Sequence, residues 1–376
     1  MYIHELSDWP LLEWDIERLA EPLADIRHRQ GRLAGHMEAL GFNLQQAATL
    51  ETLSADVLKS SEIEGEKLNA EQVRSSIARR LGIDIGALKP ADRNVEGIVE
   101  MMLDATRHYD QPLTAERLFG WHASLFPAGR SGMHKITTGS WRDDSTGAME
   151  VVSGPIGKQR VHFEAPAASR LDQEMQIFLR WFNGAAGLES VLKAALAHFW
   201  FVTIHPFDDG NGRIARAIAD MALARSENSP QRFYSMSAQI RQERDVYYNI
   251  LEQTQQGTVD ITSWMKWFLD CLGRAIDGAQ TTLGSILAKA RFWEEIAGFS
   301  INDRQRLVLN RVLDGFEGKL TTSKYAQLAK SSHDTALRDI QALVERGLLI
   351  RNQAGGRSTS YALAGTKMLD NARISR

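Results

Sequence analysis

The feature that most restricts this chain is a polar interruption, His205–Arg216 (HPFDDGNGRIAR), between two apolar segments. The preceding LKAALAHFWFVTI, residues 192–204, has almost no polar face, and the following AIADMALARS, residues 217–226, is mostly small and apolar. Segments of this kind must be covered by protein, so they predict two core helices with a loop held rigidly between them. Pro206 blocks simple continuation of the first helix. Gly210 and Gly212 permit left-handed backbone and close approach of a ligand. The second helix is expected to begin near Gly212–Arg213.

Helical spacing recurs along the rest of the chain, and strand-like alternation is scarce, so the expected fold is mainly α. Residues 15–40 read as a charged amphipathic helix. Leu50, Leu53, Val57 and Leu58 share one helical face, as do Val95, Ile98, Met101, Met102 and Ala105. Residues 170–184 form a helix stopped by Asn183-Gly184, and residues 260–276 form another. These stripes are read as packing surfaces. Residues 131–165 differ, with many Gly, Ser and Thr, a turn near 145–147, and β-type pieces AMEVVS and QRVHF. They predict one or more hairpins on a helical body.

Near residue 300 the pattern changes again. INDRQRLVLNRVLDG, TTSKYAQLAKSS and SHDTALRDIQALVERGLL read as three helices, and IRNQAGGRSTSYALAG as two short strands around a Gly-Gly turn. Helix, helix-turn-helix and hairpin make a winged helix over about 300–366. Residues 301–363 hold ten Lys/Arg against six Asp/Glu, about +4, in a chain whose net charge is −3. The module reads either as a DNA-binding unit, with 333–346 as recognition helix, Arg338 in the groove and Arg357 on the wing, or as a protein-interaction or dimerisation unit.

Composition removes several classes. Cys271 is the only cysteine, which excludes an intrachain disulfide and argues against Cys-based metal sites. The start, MYIHELSDWPLLEWD, lacks a basic segment followed by an apolar core, so no signal peptide is expected. The longest apolar run, around Leu196–Ile204, falls well short of the ~20 residues of a membrane span. A cytoplasmic protein is the simplest expectation. No G-x-x-x-x-G-K-[ST] and no H-E-x-x-H occurs.

The loop can be read as chemistry or as a capped turn. Read as chemistry, the start of the second helix is an anion site, made by unpaired N–H groups and the helix dipole. Arg213 and Arg216 add guanidinium groups suited to phosphate oxygens. Asp209 fits there if a cation bridges it to phosphate, which makes it a candidate Mg²⁺ ligand. His205 is the one group in the loop able to act as a base near neutral pH. Together these describe phosphoryl or nucleotidyl transfer.

HPFDDGNGRIAR resembles, without departure, the signature H-P-F-x-[DE]-G-N-G-R-x-x-R of the Fic family, whose members mostly transfer AMP from ATP to a protein hydroxyl. The resemblance implies a Fic-type helical core with a β-hairpin flap. It implies that His205 deprotonates the target Ser, Thr or Tyr, that Asp209 holds Mg²⁺, and that Phe207 is a buried anchor. Gly210, Asn211, Gly212 and Arg213 would bind phosphates, and Arg216 the ATP γ-phosphate. Gly212 fits nucleotidyl transfer, since the related Doc kinases usually have lysine there.

KSSEIEGEKLN, residues 59–69, is by itself a helix C-terminus capped by Gly65. Beside the signature it is similar to the family's inhibitory motif [ST]-x-x-x-E-[GN], as Ser60, Glu64 and Gly65. The resemblance implies that Glu64 takes Arg216 from the γ-phosphate, so the chain inhibits itself; Ser61, Glu62 and Glu66 are read as a solvated or capping face. Residues 131–165 sit where the family carries its flap, within about 148–163, or form a plain surface hairpin. TTGSWRDD, residues 137–144, is similar to the stretch leading into the flap. Tyr247, Tyr248 and Asn249 could line the adenine side, and are equally ordinary core positions. The implied layout is an N-terminal helical domain over 1–90 with an inhibitory helix at about 46–66, a Fic core over 91–280, an N-terminal helical extension similar to that of bacterial relatives, and the winged helix. The expected partners are ATP, a target protein of unknown identity, a second copy in a homodimer, and DNA through the C-terminal module, with no membrane. The main reading is an autoinhibited protein adenylyltransferase, able also to run in reverse. The alternatives are a nucleotide-sensing DNA-binding transcriptional regulator and transfer of another group such as UMP, phosphocholine or phosphate.

Overall fold

The computed structural model describes residues 1–376 apart from 87, 146, 155–157, 185–186, 314–317, 353–358 and 365–376. Arg357 and the centre of the expected flap therefore lie outside the described residues. The chain forms two compact units, Met1–Thr281 and Thr282–Arg376.

The first unit begins with α1 (Ile16–Glu38), α2 (Phe42–Ile63), α3 (Ala70–Leu81), α4 (Arg93–Arg107) and α5 (Ala115–Leu125). Two hairpins follow: β1 (Arg130–Ser131) with β2 (His134–Lys135), and β3 (Glu150–Ser153) with β4 (Arg160–Glu164), the second with a register shift between Val151 and Val152. Then come α6 (Leu171–Asn183), α7 (Ser190–Ile204), α8 (Asn211–Glu227), α9 (Met236–Gln242), α10 (Arg244–Gln255) and α11 (Thr262–Glu295), of which α11 continues past Thr281, where the first unit ends. The second unit contains α12 (Asp303–Leu313), β5 (Leu320–Thr321), α13 (Thr322–Ala329), α14 (His333–Glu345), β6 (Leu349–Arg351) and β7 (Ser360–Leu363), with an antiparallel sheet in the order β5-β7-β6.

The spine is the α7–α8 pair. Every residue of α7 from Ala194 to Ile204 is buried, and α8 is buried from Arg213 to Ala224. Such helices have no solvent face, so α2, α4, α5, α6 and α9 pack around them. The N-terminal tail is stitched to the same body. The Trp9 indole N–H donates to Glu174 Oε2 at 2.9 Å, the Ile261 N–H to Glu13 O at 2.8 Å, and the Asp15 N–H to Thr262 Oγ1 at 2.8 Å. Asp15 also caps α1, accepting from the N–H groups of Glu17 and Arg18.

α2 is fastened to α8 by charge as well as packing. Buried Arg232 lies between Asp220 of α8, 2.5 Å from Nη1, and Asp56 of α2, 3.3 Å from Nη2. Burial, followed by the Asp220 charge, pushes the Asp56 carboxyl up to about 7, while the Arg232 charge pulls the other way. A buried ion group of this kind adds little net stability over an apolar core, but breaking it leaves an unpaired buried charge at roughly 3–5 kcal/mol. It therefore fixes the register of α2 on α8.

Three elements depart from the sequence reading. α2 starts at Phe42, before the expected 46, and its helical residues end at Ile63 with Glu64 as cap. α11 continues through Gly278 and Gly284 to Glu295, since single glycines cost a helix only about 1 kcal/mol each. β5 has only two residues, too few for alternation to show. Among the described residues no helix is long and apolar enough to cross a membrane.

Candidate active site

The loop between α7 and α8 is bracketed by left-handed residues. His205, at the end of α7, has φ 52° and ψ 58°, and Gly210, ahead of α8, has φ 82°. A non-glycine residue in this region costs about 1–2 kcal/mol, and such strain concentrates at functional sites. The surroundings hold it there. Arg142 Nε donates to His205 O at 2.8 Å, and the Arg142 N–H donates to Pro206 O at 2.9 Å. Asn211 clamps the loop on itself: its Oδ1 accepts from the Phe207 N–H at 3.0 Å, and its Nδ2 donates to Phe207 O at 2.7 Å. Phe207 is fully buried, stacked on His122 at 4.2 Å and packed against Trp141 at 5.2 Å.

His205 Nδ1 lies 3.1 Å from Val202 O. A carbonyl only accepts, so Nδ1 carries the proton and Nε2 keeps its lone pair. The ring retains a small opening to solvent but sits in a low-dielectric surround. Burial pushes its pKa down to about 4; the Val202 contact, Asp209 and Glu64 push the other way, and Arg142 adds to the lowering. The His205 ring is therefore neutral across the physiological range.

The first intrahelical bond of α8 is Ile214 N–H to Gly210 O at 3.0 Å, so the N–H groups of Asn211, Gly212 and Arg213 face the loop. Arg213 and Arg216 are both buried, and Arg213 Nε and Arg216 Nη1 have no hydrogen-bond partner among the described residues. Buried donors of this kind mark a place where an anion fits. Asp209 offers one carboxylate there: Oδ1 accepts from the Gly210 N–H at 2.5 Å, and Oδ2 accepts from Ser131 Oγ. One carboxylate beside an anion seat fits Mg²⁺, which draws most of its shell from water and phosphate. Among the described residues no group of three or more His, Cys, Asp or Glu forms a cage.

The other claimant on the arginines comes from the end of α2. Gly65, at φ 84°, reverses the chain: the Glu66 N–H bonds Ser61 O at 3.0 Å and the Gly65 N–H bonds Glu62 O at 3.1 Å. This is a Schellman turn, which needs a left-handed residue at its centre. It leaves Glu64 facing α8. Arg216 Nη2 donates to Glu64 Oε1 at 2.7 Å and to Ser60 O at 2.9 Å, and Nε donates to Ser60 Oγ at 2.9 Å. Burial opposes the Arg216 charge, but Glu64 and its neighbours outweigh it, so the group stays charged. A Cβ at Gly212 would lie 2.3 Å from Glu64 Oε1, so glycine there makes room for the carboxylate.

The expected residues thus divide. His205, Asp209, Gly212, Arg213, Arg216, Ser60, Glu64 and Gly65 converge. Tyr248 joins them, its hydroxyl 3.5 Å from Glu64 Oε2, and buried Tyr247 is bonded to His198 Nε2 at 3.0 Å. Asn249 lies on the exposed side of α10. The Asn211 side chain serves the loop, leaving its backbone N–H for a ligand. Sequence reasoning missed Arg142, His122, Ser131 and Glu66. Arg142 lies within TTGSWRDD, and Glu66, expected on a solvated or capping face, meets Arg213.

Residues 112–223 match the family model described as the Fic/DOC family, and residues 2–83 match a domain of unknown function, DUF4172. The chain thus carries a region that matches the Fic/DOC family and, ahead of it, one that matches DUF4172. Protein adenylyltransferase Fic of Drosophila yakuba is 35% identical over 114 residues, covering 30% of this chain and 21% of that protein. The Drosophila melanogaster protein of the same name is also 35% identical over 114 residues, covering 30% and 22%. The chain spans about a fifth of the length of these curated relatives. Among solved structures, a Fic family protein from Desulfovibrio desulfuricans superposes with a TM-score of 0.53 at 21% identity, over 92% of this chain and 96% of that one. A Fic domain-containing signaling protein from Bacteroides thetaiotaomicron gives 0.52 at 19% identity, over 69% and 97%. These likenesses make the architecture a mainly helical Fic fold with small two-stranded sheets and a C-terminal small sheet.

His122 and His198 share the fate of His205, burial pushing them to about 4 and about 3. The unfolded chain takes up these protons near pH 6.5, so the stability tied to neutral rings is complete above that value and is lost as pH falls toward about 4. Ring C–H resonances of the three histidines are expected to stay flat between about pH 5.5 and 8. A His205 midpoint near 6.5, followed by NMR, would contradict the buried neutral base.

Proposed function

We propose that the chain is an autoinhibited protein adenylyltransferase, moving AMP from ATP to a Ser, Thr or Tyr hydroxyl of a target protein and of itself. The observation that carries the reading is the convergence of three features: a neutral His205 with a free Nε2, the N-terminus of α8 with two buried arginines, and Glu64 already seated on Arg216.

In the reaction, His205 Nε2 takes the proton of the target hydroxyl as its oxygen attacks the α-phosphorus. The α–β bridging P–O bond breaks and pyrophosphate leaves. Arg213, Arg216 and the α8 N–H groups hold the charge that develops on the leaving group. Mg²⁺, held by Asp209 and the phosphates, would supply further charge neutralisation. The exposed β3–β4 edge suits a target segment added as a strand. Glu64 acting on a water would run the site in reverse, removing AMP.

ATP labelled at the α- or the γ-phosphate tests this. Wild type is expected to label itself and lysate proteins weakly, Glu64→Gly strongly with α-label, and Glu64→Gly/His205→Ala at least about 100-fold less. Transfer of γ-label would instead make the protein a kinase.

The C-terminal unit supports a second, separable role in DNA binding. Its order of α12, β5, α13, α14, β6 and β7 fits the winged-helix reading, and Arg338 is exposed on α14. Retention of the full chain on random duplex DNA at low salt, falling as salt rises, is expected. No retention at low salt would remove this role.

A further inference from the structure

Arg213 is not free either. Its Nη1 donates to Glu66 Oε2 at 2.8 Å, while its guanidinium stacks over the Phe126 ring at 5.0 Å. The two arginines stand three residues apart on one ridge of α8, about 4.5 Å along the axis. The two glutamates flank Gly65, and the chain reversal there spreads them to match. One turn of chain thus delivers one carboxylate to each arginine. The turn is held from outside as well: Arg244 Nε donates to Ile63 O at 2.8 Å, and Glu62 pairs with Lys59 at 2.9 Å and with Arg241 at 3.6 Å.

The two pairs do not block the same part of a nucleotide. Arg213 lies in the first turn of α8, beside the N–H groups of Asn211 and Gly212, where the phosphates nearest the reacting centre must sit. Arg216 is one turn deeper, where only a longer phosphate chain reaches. We propose that Glu66 is a second inhibitory carboxylate, which occupies Arg213 and closes the diphosphate seat, while Glu64 closes the terminal seat at Arg216. This rests on the nucleotide-binding reading above. It makes inhibition graded. Displacing Glu64 alone admits a triphosphate, and full affinity for any nucleoside diphosphate group needs Glu66 to leave as well. The Arg213 side chain is 6% exposed and that of Glu66 36%, so the pair is partly screened and its effect is smaller than that of Glu64.

Calorimetric titration of the full chain with ADP and with α,β-methylene-ATP, which cannot transfer its nucleotide, separates the two carboxylates. Glu66→Gln is expected to tighten both nucleotides by about the same factor, roughly five-fold, and less so at high salt. Glu64→Gln is expected to tighten the triphosphate analogue and leave ADP within about two-fold. Glu51→Gln, which removes the same charge from an exposed position about 20 Å earlier along α2, is expected to change neither. A Glu66→Gln variant that binds ADP as wild type does, while Glu64→Gln gains triphosphate affinity, would overturn the second carboxylate and leave the nucleotide reading standing. Equal gains from Glu51→Gln would reduce the effect to general charge and overturn it too. Failure of every variant to bind either nucleotide would remove the nucleotide reading itself. Glu66→Asp, which keeps the charge but shortens the reach, is expected to fall between wild type and Glu66→Gln.

Discussion

A guanidinium buried in a protein interior must have an anion. Arg216 is 2% exposed, inside a helix whose surroundings offer water almost no access. Leaving it without a counter-charge would cost roughly 3–5 kcal/mol. The rest of the unit follows from that requirement. α7 and α8 form a spine with no solvent face, α2 is laid against α8 in a register fixed by Arg232, and the end of α2 brings Glu64 to Arg216 at 2.7 Å. The fold guarantees that the seat holds an anion and leaves open which anion it is.

Under the proposed function, the same geometry makes one site complete and still restrained. His205 is oriented and neutral, the loop is clamped by Arg142 and Asn211, and Gly212 lets either a phosphate oxygen or the Glu64 carboxylate approach the helix start. Nothing in the loop has to refold for chemistry. What has to change is the short turn at the end of α2, and a tethered carboxylate competes at an effective concentration of order mM. On that reading a nucleotide displaces it by making more contacts than it does. The Schellman turn at Gly65 is a small element to move, whereas α2 itself is buried along most of its length and pinned at Asp56.

Much of the site was legible because its chemistry is contiguous. The histidine, the aspartates, the glycines and the arginines lie within one loop and one helix turn, and the flanking apolar runs announce that the loop is rigid. Glu64 was legible by the spacing of its motif. The residues that were missed act across long sequence separations. Glu66 meets an arginine 147 positions away, Ser131 meets Asp209 across 78 and Arg142 meets His205 across 63. Asp56 meets Arg232 across 176 positions. The main helices were legible from spacing. The ends of α2 and α11 were not, because capping and tolerated glycines depend on what packs against them.

The central claim is that Glu64 and a nucleotide phosphate cannot both hold Arg216. Hydrogen–deuterium exchange across residues 61–66, in wild-type protein with and without saturating Mg²⁺ and α,β-methylene-ATP, tests it directly. Nucleotide is expected to release the turn, so that the Glu64, Gly65 and Glu66 amides exchange faster while α8 becomes more protected. Unchanged or stronger protection of residues 61–66 at full nucleotide occupancy would show that the two anions coexist, and would contradict the claim.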